Sequence, residues 1–276
     1  MFSKDLVKDK VAVVTGAGTG IGRVIAEELC AHGAHVVLAA RQLDRLEALA
    51  AELRARGSKA LAVGVDVSEY DSVKALFKRV DAEFGRVDIM VNNAAANFIR
   101  PSEALTSVRW RKVIDIVLNG SFHCALEAGK RMLEQKSGSI ISLVAAYAWT
   151  GGPGLAPSAS AKAGVVALTR SLGVEWADRG VRVNAICPGF IDTPQSRERL
   201  WPEEWMREML LDKIPGRKFG AEKDVSNLVL FLASPLAGYI NGEVIVADAG
   251  ECLGRGGLDL IKKAGIIRKA RAAAVK

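Results

Sequence analysis

Short runs of consecutive apolar residues recur along this chain, each bounded by Gly or Asp, and alternate with longer stretches of helical periodicity. A strand that is apolar on every residue must be covered on both faces, and regular alternation with helices is the signature of a parallel sheet between two helical layers. The runs predict strands over 10–15, 35–40, 61–65, 87–92, 139–144, 181–187 and 242–247. Helices are predicted over 21–32, 44–56, 68–84, 109–133, 159–177 and 224–232, with Leu46, Leu49, Ala50 and Leu53 forming one stripe. Ser68 is expected to cap the third of these, ahead of acidic residues in its first turn. The pattern predicts an α/β fold: a single-domain, doubly wound parallel sheet with helices on both faces. No linker interrupts residues 9–250, so residues 1–254 form one body and 255–276 a tail. Within that body, 192–219 breaks the pattern, being rich in Trp, Pro and charge, and is expected to be an irregular, mobile flap.

Of the 276 residues, 50% are hydrophobic and 25% charged, a balance that buries a sizeable core and excludes disorder and coiled coil. No window approaches about 18 uninterrupted apolar residues, so no membrane span is expected. Residues 1–10 lack the apolar centre of a signal peptide. Cys30, Cys124, Cys187 and Cys252 lie far apart, which predicts reduced thiols in an intracellular protein and no metal site. The cytoplasm is the expected compartment, with mitochondrion and peroxisome as alternatives. Of the net charge of +7, +6 lies in the basic segment 255–276, so the body is nearly neutral. That distribution argues against nucleic acid as a partner; the tail either meets phosphates or is simply solvated.

Between the first predicted strand and helix lies Thr15-Gly16-Ala17-Gly18-Thr19-Gly20-Ile21-Gly22. Glycines at 16, 20 and 22 let the backbone turn tightly and approach a pyrophosphate, which then meets the exposed N–H groups of a helix start. Thr19 and Ile21 belong to the same loop. The second strand ends Ala39-Ala40-Arg41. An acid there would bind both ribose hydroxyls of NAD; Ala40 removes that carboxylate and Arg41 offers a guanidinium to a 2′-phosphate, which predicts NADP(H). Arg23 and Arg45 are lesser candidates for the same phosphate. Asp66, followed by Val67, suits the adenine amino group, and Asn92 suits a backbone-bracing amide.

Thr15 to Gly22, Asn92-Asn93-Ala94, Asn119, Lys162 and Pro188-Gly189 together resemble the short-chain dehydrogenase/reductase family over nearly the whole chain to Gly250. The resemblance implies a Rossmann-type fold, hydride transfer to or from nicotinamide and a homotetramer. It also puts Asn93, Lys162, Pro188, Gly189 and Ile191 around the coenzyme. The family's usual site has Tyr four residues before Lys and Ser thirteen before that Tyr; here Ser158 and Ala145 stand in those places.

A narrower resemblance accounts for the loss. Residues 93–98, 115–120 and 157–165 resemble the NADPH-dependent 2,4-dienoyl-CoA reductases, particularly the mitochondrial type, although Ala96 replaces their usual Gly. In that group a Ser holds the expected Tyr position and a Tyr displaced upstream supplies the phenol; Tyr147, eleven residues before Ser158, stands at the matching place. The resemblance implies Asn119, Tyr147, Ser158 and Lys162 as catalytic residues, and Asn97 and Phe98 as substrate contacts beside Asn119, Tyr147 and Ser158. The implied reaction reduces an acyl-CoA thioester, a 2,4-dienoyl-CoA, to the 3-enoyl-CoA. Alternatives are a reductase of an enoyl or 3-oxoacyl thioester or a ring ketone, and a non-catalytic NADP(H)-binding module. In the flap, Trp201, Trp205, Met206, Met209 and Leu210 either line an acyl slot or pack beneath a loop, while Arg197 and Arg199 either meet CoA phosphates or are surface charge. Thr193 is a further candidate contact for the nicotinamide carboxamide.

Overall fold

The structure, a computed structural model, describes residues 2–254; the basic tail at 255–276 lies outside them. Seven parallel strands form one sheet in the order β3-β2-β1-β4-β5-β6-β7. They are β1 (Val11–Thr15), β2 (His35–Ala40), β3 (Ala60–Gly64), β4 (Ile89–Asn92), β5 (Gly138–Leu143), β6 (Val181–Pro188) and β7 (Val244–Ala247). The helices are α1 (Gly20–Ala31), α2 (Leu43–Ala55), α3 (Tyr70–Phe84), α4 (Ser107–Ile114), α5 (Gly120–Gln135), α6 (Tyr147–Thr150), α7 (Ala156–Trp176), α8 (Pro194–Arg199), α9 (Glu204–Lys213), α10 (Glu222–Ala233) and α11 (Glu251–Gly254).

Strand residues divide strictly by parity, as the two-residue repeat of a pleated strand requires. In β1, Ala12 and Val14 join one core with α1, α2 and α10, while Val11 and Val13 join a second with α3, α5 and α7. Both cores are closed by helices, which is why all five residues of β1 are buried. The strand order reverses where β1 pairs with both β2 and β4. In an open α/β sheet, ligands bind at the carboxyl ends of strands beside such a reversal. The glycine loop therefore emerges into that crevice.

Three local expectations are corrected. The segment 192–219 is not irregular: it carries α8 and α9, joined to the body by a parallel bridge between Ile191 and Gly220. Thr193 caps α8 by accepting from the Ser196 N–H while the Ser196 hydroxyl accepts from the Thr193 N–H, a reciprocal pair hidden by the Pro and charge around it. Ser68 does not cap α3, which starts at Tyr70; its hydroxyl and N–H donate to Asp66 instead. The helix expected over 109–133 is broken between α4 and α5 by a π-helical turn, Asp115–Asn119. A π turn inserts one extra residue into a helix and frequently marks a functional site.

Candidate active site

Gly16 and Gly20 adopt positive φ, 66° and 52°, where a side chain would be strained. A Cβ at Gly22 would stand 2.3 Å from the Gly16 carbonyl oxygen and 2.4 Å from the Asn93 amide nitrogen. The loop is thus folded tightly back onto the first turn of α1. Asn93 locks it, its amide donating to the Thr15 and Gly16 carbonyls at 2.9 and 3.3 Å, and the Thr15 hydroxyl accepts the Asn93 N–H. Thr19 precedes α1 without capping it through its side chain, and the first turn holds no acid. Free N–H groups and the positive end of α1 therefore face the crevice, an arrangement suited to a dinucleotide pyrophosphate.

Arg41 is exposed directly after β2, and its charge reaches Asp66. The Ser68 hydroxyl, aided by its N–H and by Arg41 and Lys112, holds the Asp66 carboxyl below the usual range. Arg23 is spent elsewhere, paired with Glu27 at 2.9 Å and Glu52 at 2.6 Å. Val67 is buried against the start of α5, where a Cβ at Gly120 would come within 2.7 Å of it. Asn92 braces the neighbouring strand and helix, donating to the Ser142 hydroxyl at 3.3 Å and the Ser121 carbonyl at 3.4 Å.

On the other side of the crevice, α7 presents Ser158 and Lys162 one turn apart, both buried. The Tyr147 hydroxyl, from the separate helix α6, lies 3.1 Å from the Ser158 hydroxyl. Burial raises the Tyr147 phenol above its usual value against the opposing pull of Ser158, so it is a neutral donor at physiological pH. Lys162 donates to the Leu143 carbonyl at the end of β5, at 2.5 Å, and burial lowers its ammonium to about 8. The Asn119 amide donates to the Asp115 carboxylate at 2.8 Å across the π turn. That turn packs on α7 through Leu118, which a Cβ on Gly164 would meet at 2.9 Å, and through Val117, which clusters with Ala161.

Of these groups, Tyr147 lines a cavity of about 1710 Å³, while Ser158, Lys162 and Asn119 are not among its lining residues. Asn97 lines it as well, as do Ile21 from the glycine loop, Pro188 at the end of β6, and Gly189, Ile191 and Thr193 beyond it. From the flap, Trp201, Met209 and Leu210 line it too, whereas Trp205 is largely exposed and lies outside its wall. Phe98 does not face it: the ring is packed behind the wall against Val113, Val117 and Ala161 and beneath Arg109. The Ile191–Gly220 bridge takes its hydrogen bonds from Asp192 and Gly220, so the Ile191 N–H has no part in that ladder. Some contributors are not singled out by the sequence. Asp115 orients Asn119, a relation signalled by their four-residue spacing. The cavity wall also includes Gly151, Gly152 and Leu155, with Ile99, Leu200 and Ile214, which carry no chemical signal.

A seven-stranded parallel sheet with a glycine-turned helix start at its reversal, a buried lysine and a cavity-lining phenol is the arrangement of a dinucleotide-dependent oxidoreductase. Residues 16–251 match the enoyl-(acyl carrier protein) reductase family model. The chain is 37% identical over 249 residues to a Bacillus subtilis protein named probable 2,4-dienoyl-CoA reductase, (2E)-enoyl-CoA-producing, covering 90% of this chain and 98% of that one. It is 40% identical over 242 residues to a Staphylococcus aureus 3-oxoacyl-(acyl-carrier-protein) reductase, covering 87% and 97%. Its fold superposes on a Burkholderia cenocepacia gluconate 5-dehydrogenase, solved with NADP and tartrate, with a TM-score of 0.85 at 28% identity, covering 90% and 98%. This chain belongs to the short-chain dehydrogenase/reductase family of oxidoreductases.

Proposed function

We propose that the protein reduces 2,4-dienoyl-CoA thioesters with NADPH. The observation that carries the reading is the 3.1 Å approach of the cavity-lining Tyr147 hydroxyl to that of Ser158, one turn from Lys162. The family's ordinary phenol is missing from position 158, and a second phenol reaches the same hydroxyl from another helix. Ser158 cannot replace it unaided, because an aliphatic hydroxyl is too weak an acid.

The glycine loop and α1 hold the pyrophosphate, Arg41 the 2′-phosphate, Asp66 and Val67 the adenine end, and Lys162 the nicotinamide ribose. Pro188, Gly189 and Ile191 meet the carboxamide. When bound, NADPH supplies a hydride, which adds at Cδ of the dienoyl chain. Electron density moves through the conjugated bonds to the thioester oxygen, where Tyr147 and Asn119 donate hydrogen bonds as charge develops. Asp115 keeps the Asn119 amide turned for this, since the second amide N–H remains to donate. A solvent proton at Cα completes the 3-enoyl product; protonation at Cγ instead gives the 2-enoyl product for which the B. subtilis relative is named. The apolar stretch of the cavity at Trp201, Met209 and Leu210 takes the acyl chain. By family resemblance the working assembly is a homotetramer.

The test is NADPH oxidation with a thioester panel. Hexa-2,4-dienoyl-CoA should be consumed far faster than 3-oxoacyl or 2-enoyl thioesters. Turnover confined to 3-oxoacyl thioesters removes the proposal, and tight NADPH binding with no turnover at all marks a binding module.

A further inference from the structure

The relatives act, by their names, on two kinds of thioester, one carried by CoA and one by a carrier protein. A second recess beside the main cavity bears on that choice. Its volume is about 460 Å³, and its wall includes Arg197, Arg207, Arg217 and Lys218, with Asp192 as the one acid in its lining.

Asp192 fixes two of the guanidinium groups. Arg197 pairs with it through Nε and Nη2 at 2.7 and 2.9 Å, and Arg207 through Nη1 at 3.1 Å. Each keeps further N–H groups for another acceptor, since a guanidinium has five. Arg207 also lies over the Phe219 ring, 4.6 Å from its centre, which holds it flat against the wall. Arg217 pairs with Asp212. Four cations against two carboxylates leave an excess of positive charge, arranged by side-chain contacts before any ligand arrives.

The recess adjoins the thioester cavity. Phe219 lines the recess, Trp201 lines the cavity, and the two rings stack at 5.0 Å. Arg217 borders both.

We propose that this recess receives the phosphate groups of CoA. This rests on the CoA-thioester reading above and adds where the carrier's phosphates sit. A CoA end brings several phosphate charges into a concave site; a carrier-protein arm brings one phosphodiester and needs a surface for the protein behind it. Guanidinium groups pair with phosphate bidentately, which suits the former.

The test is calorimetric titration of CoA itself into the protein saturated with NADP, which keeps CoA from the coenzyme loop. An Arg197→Gln/Lys218→Gln variant should bind CoA about tenfold more weakly, while its dissociation constant for dephospho-CoA changes less. Unchanged CoA affinity in the double variant overturns the inference, as does a loss confined to carrier-protein thioesters. Because CoA binding is read without turnover, failure of the dienoyl assay overturns the reaction and leaves this result standing on its own.

Discussion

Tyr147 is a phenol held by one hydroxyl contact and by burial, and its proposed work is electrostatic. Tyr147→Phe should lower kcat by about 10²–10³, the usual loss for one oxyanion donor, and leave the NADPH dissociation constant within about twofold. Stopped-flow reduction and fluorescence titration measure the two separately. Lys162 gives a different signature. Its folded value of about 8 lies below the usual 10.5 because burial disfavours the ammonium. The charge is present below about pH 8 and is lost as pH rises through that value, so coenzyme affinity should fall on the alkaline side. A coenzyme titration should show that limb in the wild type and none in Lys162→Met. Stability moves the other way: the cost of the buried charge is present below about 8 and is relieved toward 10.5. Lys162 and Ser158 are singled out in the sequence by the family resemblance, and the structure puts them one turn apart on α7. Adjacency in sequence does not reveal depth: Asn97 lines the cavity, and its neighbour Phe98 packs against the cluster of Val113, Val117 and Ala161.

At the scale of elements, the glycine loop is the most constrained part of the molecule. Gly22→Ala would force its Cβ against the Gly16 carbonyl and the Asn93 amide. We expect a loss of about 1–3 kcal/mol of stability, the range for overpacking a closed site, with weakened coenzyme binding. Chemical denaturation and coenzyme titration check the pair. The strands were legible because a doubly covered strand must be apolar throughout. The flap was not, since α8 and α9 are short, polar outside and held by the Ile191–Gly220 bridge and the Phe190–Trp201–Phe219 aromatic group, which are contacts distant in sequence. The π turn was equally hidden: periodicity ran through 109–133, and one surplus residue changes the phase of the helix without changing its composition.

For the whole molecule, the parallel sheet sets the coenzyme end where strand order reverses and leaves the far edge, β7, free on one side among the described residues. Val246 on that edge is exposed, as are Val174 on α7 and Phe122 on α5. These surfaces are compatible with assembly. Light scattering on the full chain should give the mass of four copies, and a monomer mass would end the tetramer proposal. The body's near-neutral charge was readable from the sequence, but the concentration of arginines in the recess was not, because Arg197, Arg207 and Arg217 meet only through the folded flap. In the family's usual arrangement, phenol and lysine share one rigid helix and their separation is fixed. Here they ride on different supports, α6 and α7, joined by a glycine-bearing bend. On the proposed assignment of Tyr147, the donor's reach is adjustable by changing that bend alone, so a lengthened or shortened 151–155 connection would retune which conjugated acceptor is tolerated without disturbing the grip on the electron source.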